Sequence, residues 1–358
     1  MNSEKGDFEG MGMRFPDEFD GCWAGPNPVV PGLAFGSTDG KIVFADNDAR
    51  PLWHGKGSDS GEAINGVARI GTWVGVSTRQ DVNFFPLPGT LGGHEYGLVV
   101  QYGAHDIIAT PSGYFVAPLG RNGILVEHPP FDPGTEVTAQ SAEEAGLYAY
   151  RLASLRSRAG VEVLACASRL GGLFAGAFAG KHEPIKLKRT AKGLDIVDVC
   201  HLDLGTESLA AAAVGRDGTL VLFQDILDSK PTTIKFKSVQ GVAYRLLSSH
   251  GDIYLFTSKG MYVLGELAGR FLRGEFAGGI TTPIQRSRIE PVAANLVDNR
   301  WLLVVVPGAF YRLDVEAIHQ GVLEHLGDAA LQEPTNGSAP LEWEVGDIHT
   351  TTKQLVSV

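Results

Sequence analysis

Few residues in this 358-residue chain stand at spacings that chemistry demands. Cys200-His201-Leu202-Asp203 puts three potential ligands or acid–base groups within four positions. On an extended strand, Cys200 and Leu202 share one face while His201 and Asp203 share the other. The segment therefore reads as a buried thiol beside a surface His–Asp pair. Gly93-His94-Glu95-Tyr96 carries a His-Glu pair but lacks the second histidine one helical turn on that a zinc helix needs. No P-loop occurs, and no Gly-x-Gly-x-x-Gly leads into a helix. Asp106, Asp195 and Asp198 lie in or beside expected strands, where they could cluster as acid–base groups or simply cap strand ends. The recurrent signal is basic. Arg79, Arg121, Arg169, Arg216 and Lys259 each stand within a few residues of a tight turn. Guanidinium groups bind carboxylate and phosphate bidentately. Aligned on one face, these side chains would hold an acidic segment of a partner protein or a nucleic-acid backbone. Scattered, they would serve only solubility.

What would align them is a repeat. Seven times a short apolar strand runs into a tight turn and back into another, as in Trp73-Val74-Gly75-Val76 to Val82-Asn83-Phe84-Phe85 and Ala211-Ala212-Ala213-Val214 to Leu220-Val221-Leu222. The turn residues Gly40, Gln80, Gly123, Gly172, Gly218, Gly260 and Gly308 are spaced 40, 43, 49, 46, 42 and 48 apart. A period near 45 with a β-hairpin at its heart predicts an all-β, seven-bladed β-propeller. Its hairpin turns would share one face, and adjacent blades would space the basic residues by about 10 Å, close to one Debye length at 0.1 M salt. Upstream of six hairpins lies a further strand (for example Leu194–Val199 or Gly241–Leu246), expected to be the innermost of its blade. Downstream come more polar outer strands. In two of them, Ile185-Lys186-Leu187-Lys188 and Ile234-Lys235-Phe236-Lys237, apolar residues alternate with lysines that guard a free edge. Trp53, Phe131 and Trp343 are large aromatics of the kind that anchor interfaces or fill gaps between blades.

The fifth repeat, Ala213-Val214-Gly215-Arg216-Asp217-Gly218-Thr219-Leu220-Val221-Leu222-Phe223-Gln224-Asp225, resembles a WD40 repeat in its small-residue strand, its Asp-Gly turn and the aromatic near a closing Asp. Gly36-Ser37-Thr38-Asp39-Gly40-Lys41-Ile42-Val43-Phe44-Ala45-Asp46 follows the same outline. No repeat ends in Trp-Asp and the Gly-His opening is missing, so the resemblance is to WD40-like propellers as a class. It implies a non-catalytic scaffold or subunit that binds other proteins, with Arg79, Arg121, Arg169, Arg216, Lys259 and Trp53 as the expected partner-binding residues. No cofactor or metal is expected. The alternative is a propeller hydrolase or lyase with acidic residues at its central channel.

Residues 1–31 read as an N-terminal arm and 32–358 as one propeller, with a short helical and loop insertion near 314–340. Within it, Val315-Glu316-Ala317-Ile318 and Val322-Leu323-Glu324-His325-Leu326 have helical character. Leu341-Glu342-Trp343-Glu344-Val345 is expected to be the outer strand of the seventh hairpin, and the last residues to close the ring against the first blade. The net charge of −11, from 41 acidic and 30 basic residues, argues against general binding to nucleic acid or anionic membrane, though a local basic patch survives an acidic total. Cys22, Cys166 and Cys200 have no metal spacing. With Met1 to Phe15 lacking an apolar segment, they point to a reducing cytoplasm.

Overall fold

The structure is a computed structural model that describes residues 33–321, with breaks at 46–50, 59, 88–97, 132–138, 141–146, 170, 182–184, 203–208, 229, 276–283, 288–290, 292, 298–299 and 307–308, and residues 341–342. Among the described residues the strands form seven sheets, taken up one after another along the chain. The first holds β1 (Leu33–Gly36), β2 (Lys41–Ala45) and β3 (Pro51–Lys56); the second β4 (Gly66–Ile70), β5 (Trp73–Ser77), β6 (Val82–Pro86) and β7 (Leu98–Val100). The third holds β8 (Ile108–Ala109), β9 (Phe115–Pro118), β10 (Ile124–Glu127) and β11 (Ala139–Gln140); the fourth β12 (Ala149–Arg156), β13 (Glu162–Ser168), β14 (Gly172–Ala177) and β15 (Lys188–Ala191). The fifth holds β16 (Ile196–His201), β17 (Ala211–Gly215), β18 (Leu220–Phe223) and β19 (Thr232–Ile234). The sixth runs β20 (Ala243–Ser249), β21 (Asp252–Thr257), β22 (Gly260–Leu264) and β23 (Ile284–Ser287), and the seventh β24 (Ala293–Val297), β25 (Trp301–Val306) and β26 (Ala309–Asp314). All these neighbours pair antiparallel, and each sequence-expected hairpin is present; the turn expected at Gly308 lies outside the described residues.

The middle strands explain the continuous apolar runs. β5, β13, β17 and β21 are buried at every position, because the sheets that carry them pack on the sheet before and the sheet after. The core is accordingly divided into layers between consecutive sheets. Phe84 and Val82 of the second sheet pack on Phe115 and Leu125 of the third, and Ala165 and Leu173 of the fourth on Val199 and Ala213 of the fifth. Leu222 of the fifth packs on Leu255 of the sixth. Small residues at Ala211 to Ala213 let the fifth sheet sit close between its neighbours. The alternation read from the sequence appears just ahead of β15, where Ile185 and Leu187 are buried while Lys186 and Lys188 are exposed, although only Lys188 lies in the strand itself.

The hairpin turns have a local chemistry of their own. At Gly218 φ is 81°, a left-handed conformation that costs glycine nothing. Asp217 before it accepts from Thr219 N at 3.1 Å and Thr219 Oγ1 at 2.9 Å, locking the reversal. Asp81 plays a similar role between β5 and β6, where it also ties in Ser58 from the segment ahead of β4.

Two parts differ from the sequence reading. A short helix, α1 (Leu267–Leu272), follows β22 and packs Leu267, Ala268 and Phe271 into the core. Its apolar run has no side-chain cap to announce a helix. The second difference is β27 (Leu341–Glu342), which pairs parallel with Gln285 and Arg286 of β23 on the sixth sheet, and not with the seventh hairpin. The chain leaves β26 directly into helical residues 315–321, capped by Asp314 Oδ1 on Glu316 N at 2.9 Å. The open edge of β23 takes β27. Residues 1–31, Trp343 and 353–358 lie outside the described residues. Among the described residues, no helix is long and apolar enough to cross a membrane.

Candidate functional site

Backbone hydrogen bonds tie the hairpin turns to the lead-in of the next sheet. Ser37 O accepts from Ile64 N at 2.9 Å, Thr78 O from Ala104 N at 2.7 Å, Gly120 O from Ala149 N at 3.1 Å and Arg216 O from Ala243 N at 3.0 Å. The turns at Arg79, Arg121 and Arg216 thus sit at the entry ends of the following first strands. Arg79, Arg121, Arg216 and Lys259 are exposed and Arg169 is half-buried.

The structure brings two of the five together on one group. His105, just ahead of β8, is held below its ordinary pKa by burial, then by the positive charges of Arg169, Arg79 and Arg151. Its Nε2 stands 3.2 Å from the Tyr148 hydroxyl, and its ring lies 5.1 Å from that of Tyr150. The Arg169 guanidinium covers the Tyr150 ring at 5.2 Å, a cation–π contact that fixes the charge in place. Arg79 and Arg169, beside His105 and two tyrosines, make a cup whose positive charge would attract carboxylate or phosphate, while the charge of Arg151 is answered by Asp106.

The other members are placed differently. Arg216 Nη1 lies 3.9 Å from Asp195 Oδ2, so part of its charge is answered within its own sheet. Lys259 lies along Gly241. Trp53 is not among these residues. It sits on β3, half-buried, stacked on Phe44 with ring centroids 5.3 Å apart, where it covers the face of the first sheet. Phe131 likewise fills the layer between the second and third sheets, edge-on to Trp73 at 5.0 Å.

Along the first strands the acidic residues are interleaved with arginines. Asp106 Oδ2 faces Arg151 Nη1 at 3.6 Å, and Asp198 Oδ2 faces Arg245 Nη1 at 3.5 Å while accepting from Leu246 N at 2.7 Å. Arg245 reaches on to Ala294 O at 3.2 Å and Asn295 Oδ1 at 3.3 Å, linking the fifth, sixth and seventh sheets. Burial pushes the Asp106 carboxyl above its ordinary value against the pull of Arg151 and Arg245. Asp106 and Asp198 therefore meet as parts of a charge-paired row, and Asp195 stands apart with Arg216. Arg151 and Arg245 gave no signal in the sequence, because an arginine on a strand reads as a solvent-facing position.

No family model matches the chain, and no curated protein matches it. Solved structures do. The WD40 β-propeller domain of Doa1 superposes with a TM-score of 0.53 at 13% identity, over 79% of this chain and 89% of that one. The β-propeller domain of Cps50 (Swd1) from Myceliophteria thermophila superposes with a TM-score of 0.54 at 12% identity, over 76% of this chain and 88% of that one. In fold, the chain is an all-β, WD40-like β-propeller.

Proposed function

We propose that this protein is a non-catalytic interaction module, a scaffold or subunit that captures an acidic segment of a partner protein on the hairpin-turn face. The observation that carries the reading is the placing of Arg169 over Tyr150 and of the Arg79 turn beside the lead-in to His105, next to Tyr148. In a chain of net charge −11 this is a local basic centre, and it would attract acidic segments from a distance while the rest of the surface repels them. Arg121, Arg216 and Lys259 extend the field along neighbouring turns. The hydrolase or lyase reading is weaker: Asp106 and Asp198 are each answered by an arginine, which suits a structural lining better than a general acid and base.

The test is equilibrium binding of a glutamate-rich peptide. Arg79→Glu with Arg169→Glu should weaken it at least tenfold. Arg158→Glu, exposed in the turn between β12 and β13 at the other end of the fourth sheet, should leave it within twofold. Equal losses in both variants would show non-specific charge attraction and refute the site.

The same reading takes the molecule as seven blades in one closed ring. Among the described residues the first sheet has three strands where the next four each have four, and no strand pairs on the free side of β1. Residues 353–358 would supply that strand. Deleting them should lower the melting temperature by several degrees; an unchanged melt would refute closure by this segment.

A further inference from the structure

The turn between β20 and β21, the start of α1 and helical residues 315–321 bring three metal-ligating side chains together. Asp252, Glu266 and His319 each present one donor atom, and these atoms all lie within 4.8 Å of one another. Asp252 is fully buried, and the side chains of Glu266 and His319 are each 13% exposed. The His319 ring stands between the two carboxylates. Nδ1 is 3.2 Å from Asp252 Oδ2, a hydrogen-bond distance, whereas Nε2 is 3.7 Å from Glu266 Oε1, too long for one. An imidazolium bridging both carboxylates would close the second gap. A separation of this size is instead what two donors show across an ion, with bonds of about 2.1 Å and an angle of roughly 120° between them. Asp252 would then orient the ring through Nδ1–H, the outer carboxylate that metal-bound histidines usually have.

Glu266 is fixed for this role. Its backbone N–H donates to Asp252 Oδ1 at 2.7 Å, and its Oε2 meets Arg273 Nη2 at 3.2 Å, which leaves Oε1 turned to the histidine. Glu266 Oε1 and His319 Nε2 would ligate the ion, with water in its remaining positions, and the Asp252 carboxylate behind the ring would add to the negative charge that balances a divalent cation.

A separate observation points to the same place. The Tyr254 hydroxyl is buried and has no hydrogen-bond partner among the described residues. A buried tyrosine normally finds one. Tyr254 shares a strand face with Asp252 two positions away and packs with Val315 and Ile318 of the same helical segment. His250 stands beyond, its ring 5.8 Å from that of His319 and its Nε2 3.2 Å from Glu316 Oε2.

We infer that Asp252, Glu266 and His319 form a binding site for a divalent transition-metal ion of the zinc class, which ties the helix after the last hairpin to the sixth sheet. One imidazole with carboxylate oxygens and no thiolate suits Zn²⁺ or Co²⁺. The ion would hold the carboxylates at the base of β21 and α1 against the segment that leads the chain away from β26.

The full chain, stripped with a chelator, is titrated with Zn²⁺ by calorimetry and with Co²⁺ by visible absorption. One equivalent should bind, with a rise in melting temperature and the d–d bands of a nitrogen–oxygen site. Glu266→Gln, which keeps the side chain's shape, and His319→Ala should each weaken binding at least 100-fold, while Asp106→Asn on the first-strand row should leave it unchanged. Absence of stoichiometric binding to the folded wild type would overturn the assignment. So would retention of the equivalent in both variants, which would place the ion on other histidines.

Discussion

Truncating Phe84 to alanine is expected to destabilise the protein by about 3–5 kcal/mol, the range for removing a buried aromatic and leaving part of its cavity. Phe84 is 1% exposed and is the hinge of an aromatic cluster between the second and third sheets. Its ring lies 5.2 Å from Phe115 and 4.8 Å from Phe131, and Phe131 in turn meets Trp73 edge-on at 5.0 Å. Three elements lose contacts at once: β6, which carries the residue, β9, and the segment after β10 that delivers Phe131. Aromatic pairs of this geometry contribute about 0.5–1.5 kcal/mol each beyond the area they bury. Phe84→Leu keeps most of the volume and should cost roughly 1–1.5 kcal/mol. Denaturant unfolding checks both, through a shifted midpoint with an unchanged slope. A loss below about 1 kcal/mol for the alanine variant would show that the layer collapses onto the gap, or that the two sheets do not rely on this contact.

Replacing Asp81 with alanine should cost about 3 kcal/mol, from hydrogen bonds to a charged acceptor lost together. The carboxylate is 5% exposed and collects Ser58 Oγ at 2.8 Å, Ser60 N at 3.2 Å and Thr78 Oγ1 at 2.5 Å. It thereby holds the turn between β5 and β6 against the segment that joins the first two sheets. Burial works against its ionisation, but the hydrogen bonds from Thr78, Ser58 and Ser60 outweigh it and hold the carboxyl below its ordinary value. A group whose folded pKa is depressed stabilises the fold above its unfolded pKa of about 3.9 and loses that contribution as pH falls through the folded value. The stability gap between wild type and Asp81→Asn should therefore be full at pH 7 and shrink below pH 4. A gap that stays constant down to pH 2 would mean the charge of Asp81 contributes nothing.

The hairpins were legible because each middle strand is buried on both faces and each turn needs its own residues, so apolar runs and Gly or Asp-Gly reversals recur at a fixed period. The outer strands were legible for the opposite reason. With one wet face, the segment leading into β15 alternates buried Ile185 and Leu187 with exposed Lys186. What failed to show were features made by residues far apart in the chain. His105 is an isolated histidine until Tyr148, Tyr150 and Arg169 of the next sheet close around it. Arg151 and Arg245 look like surface positions until Asp106 and Asp198 face them across neighbouring strands. The Asp252, Glu266 and His319 grouping spans 67 residues between its first and last members, and no local spacing announces it. Helix α1 hid because it begins at Glu266 with φ of 52° and no side-chain cap, leaving only an apolar run that a strand would share. Trp53 was grouped with the arginines by residue type, yet its neighbour Phe44 on the paired strand claims its ring. Of the expected outer strand at 341–345, Leu341–Glu342 pairs with β23 of the sixth sheet, a long-range partner that no local pattern in the sequence names.

The proposed function rests on the positive charge of Arg79 and Arg169 beside His105, which would recruit an acidic partner segment. Its most direct test is the association rate constant of a glutamate-rich peptide measured by stopped flow from 50 to 500 mM salt. Charges near a binding site act mainly on association and are screened as the Debye length falls. Wild-type association should slow about tenfold or more across this range. The Arg79→Glu, Arg169→Glu protein should start slower and show at most a twofold change. Identical rates and identical salt dependence in the two proteins would contradict the account and reduce these arginines to surface charges.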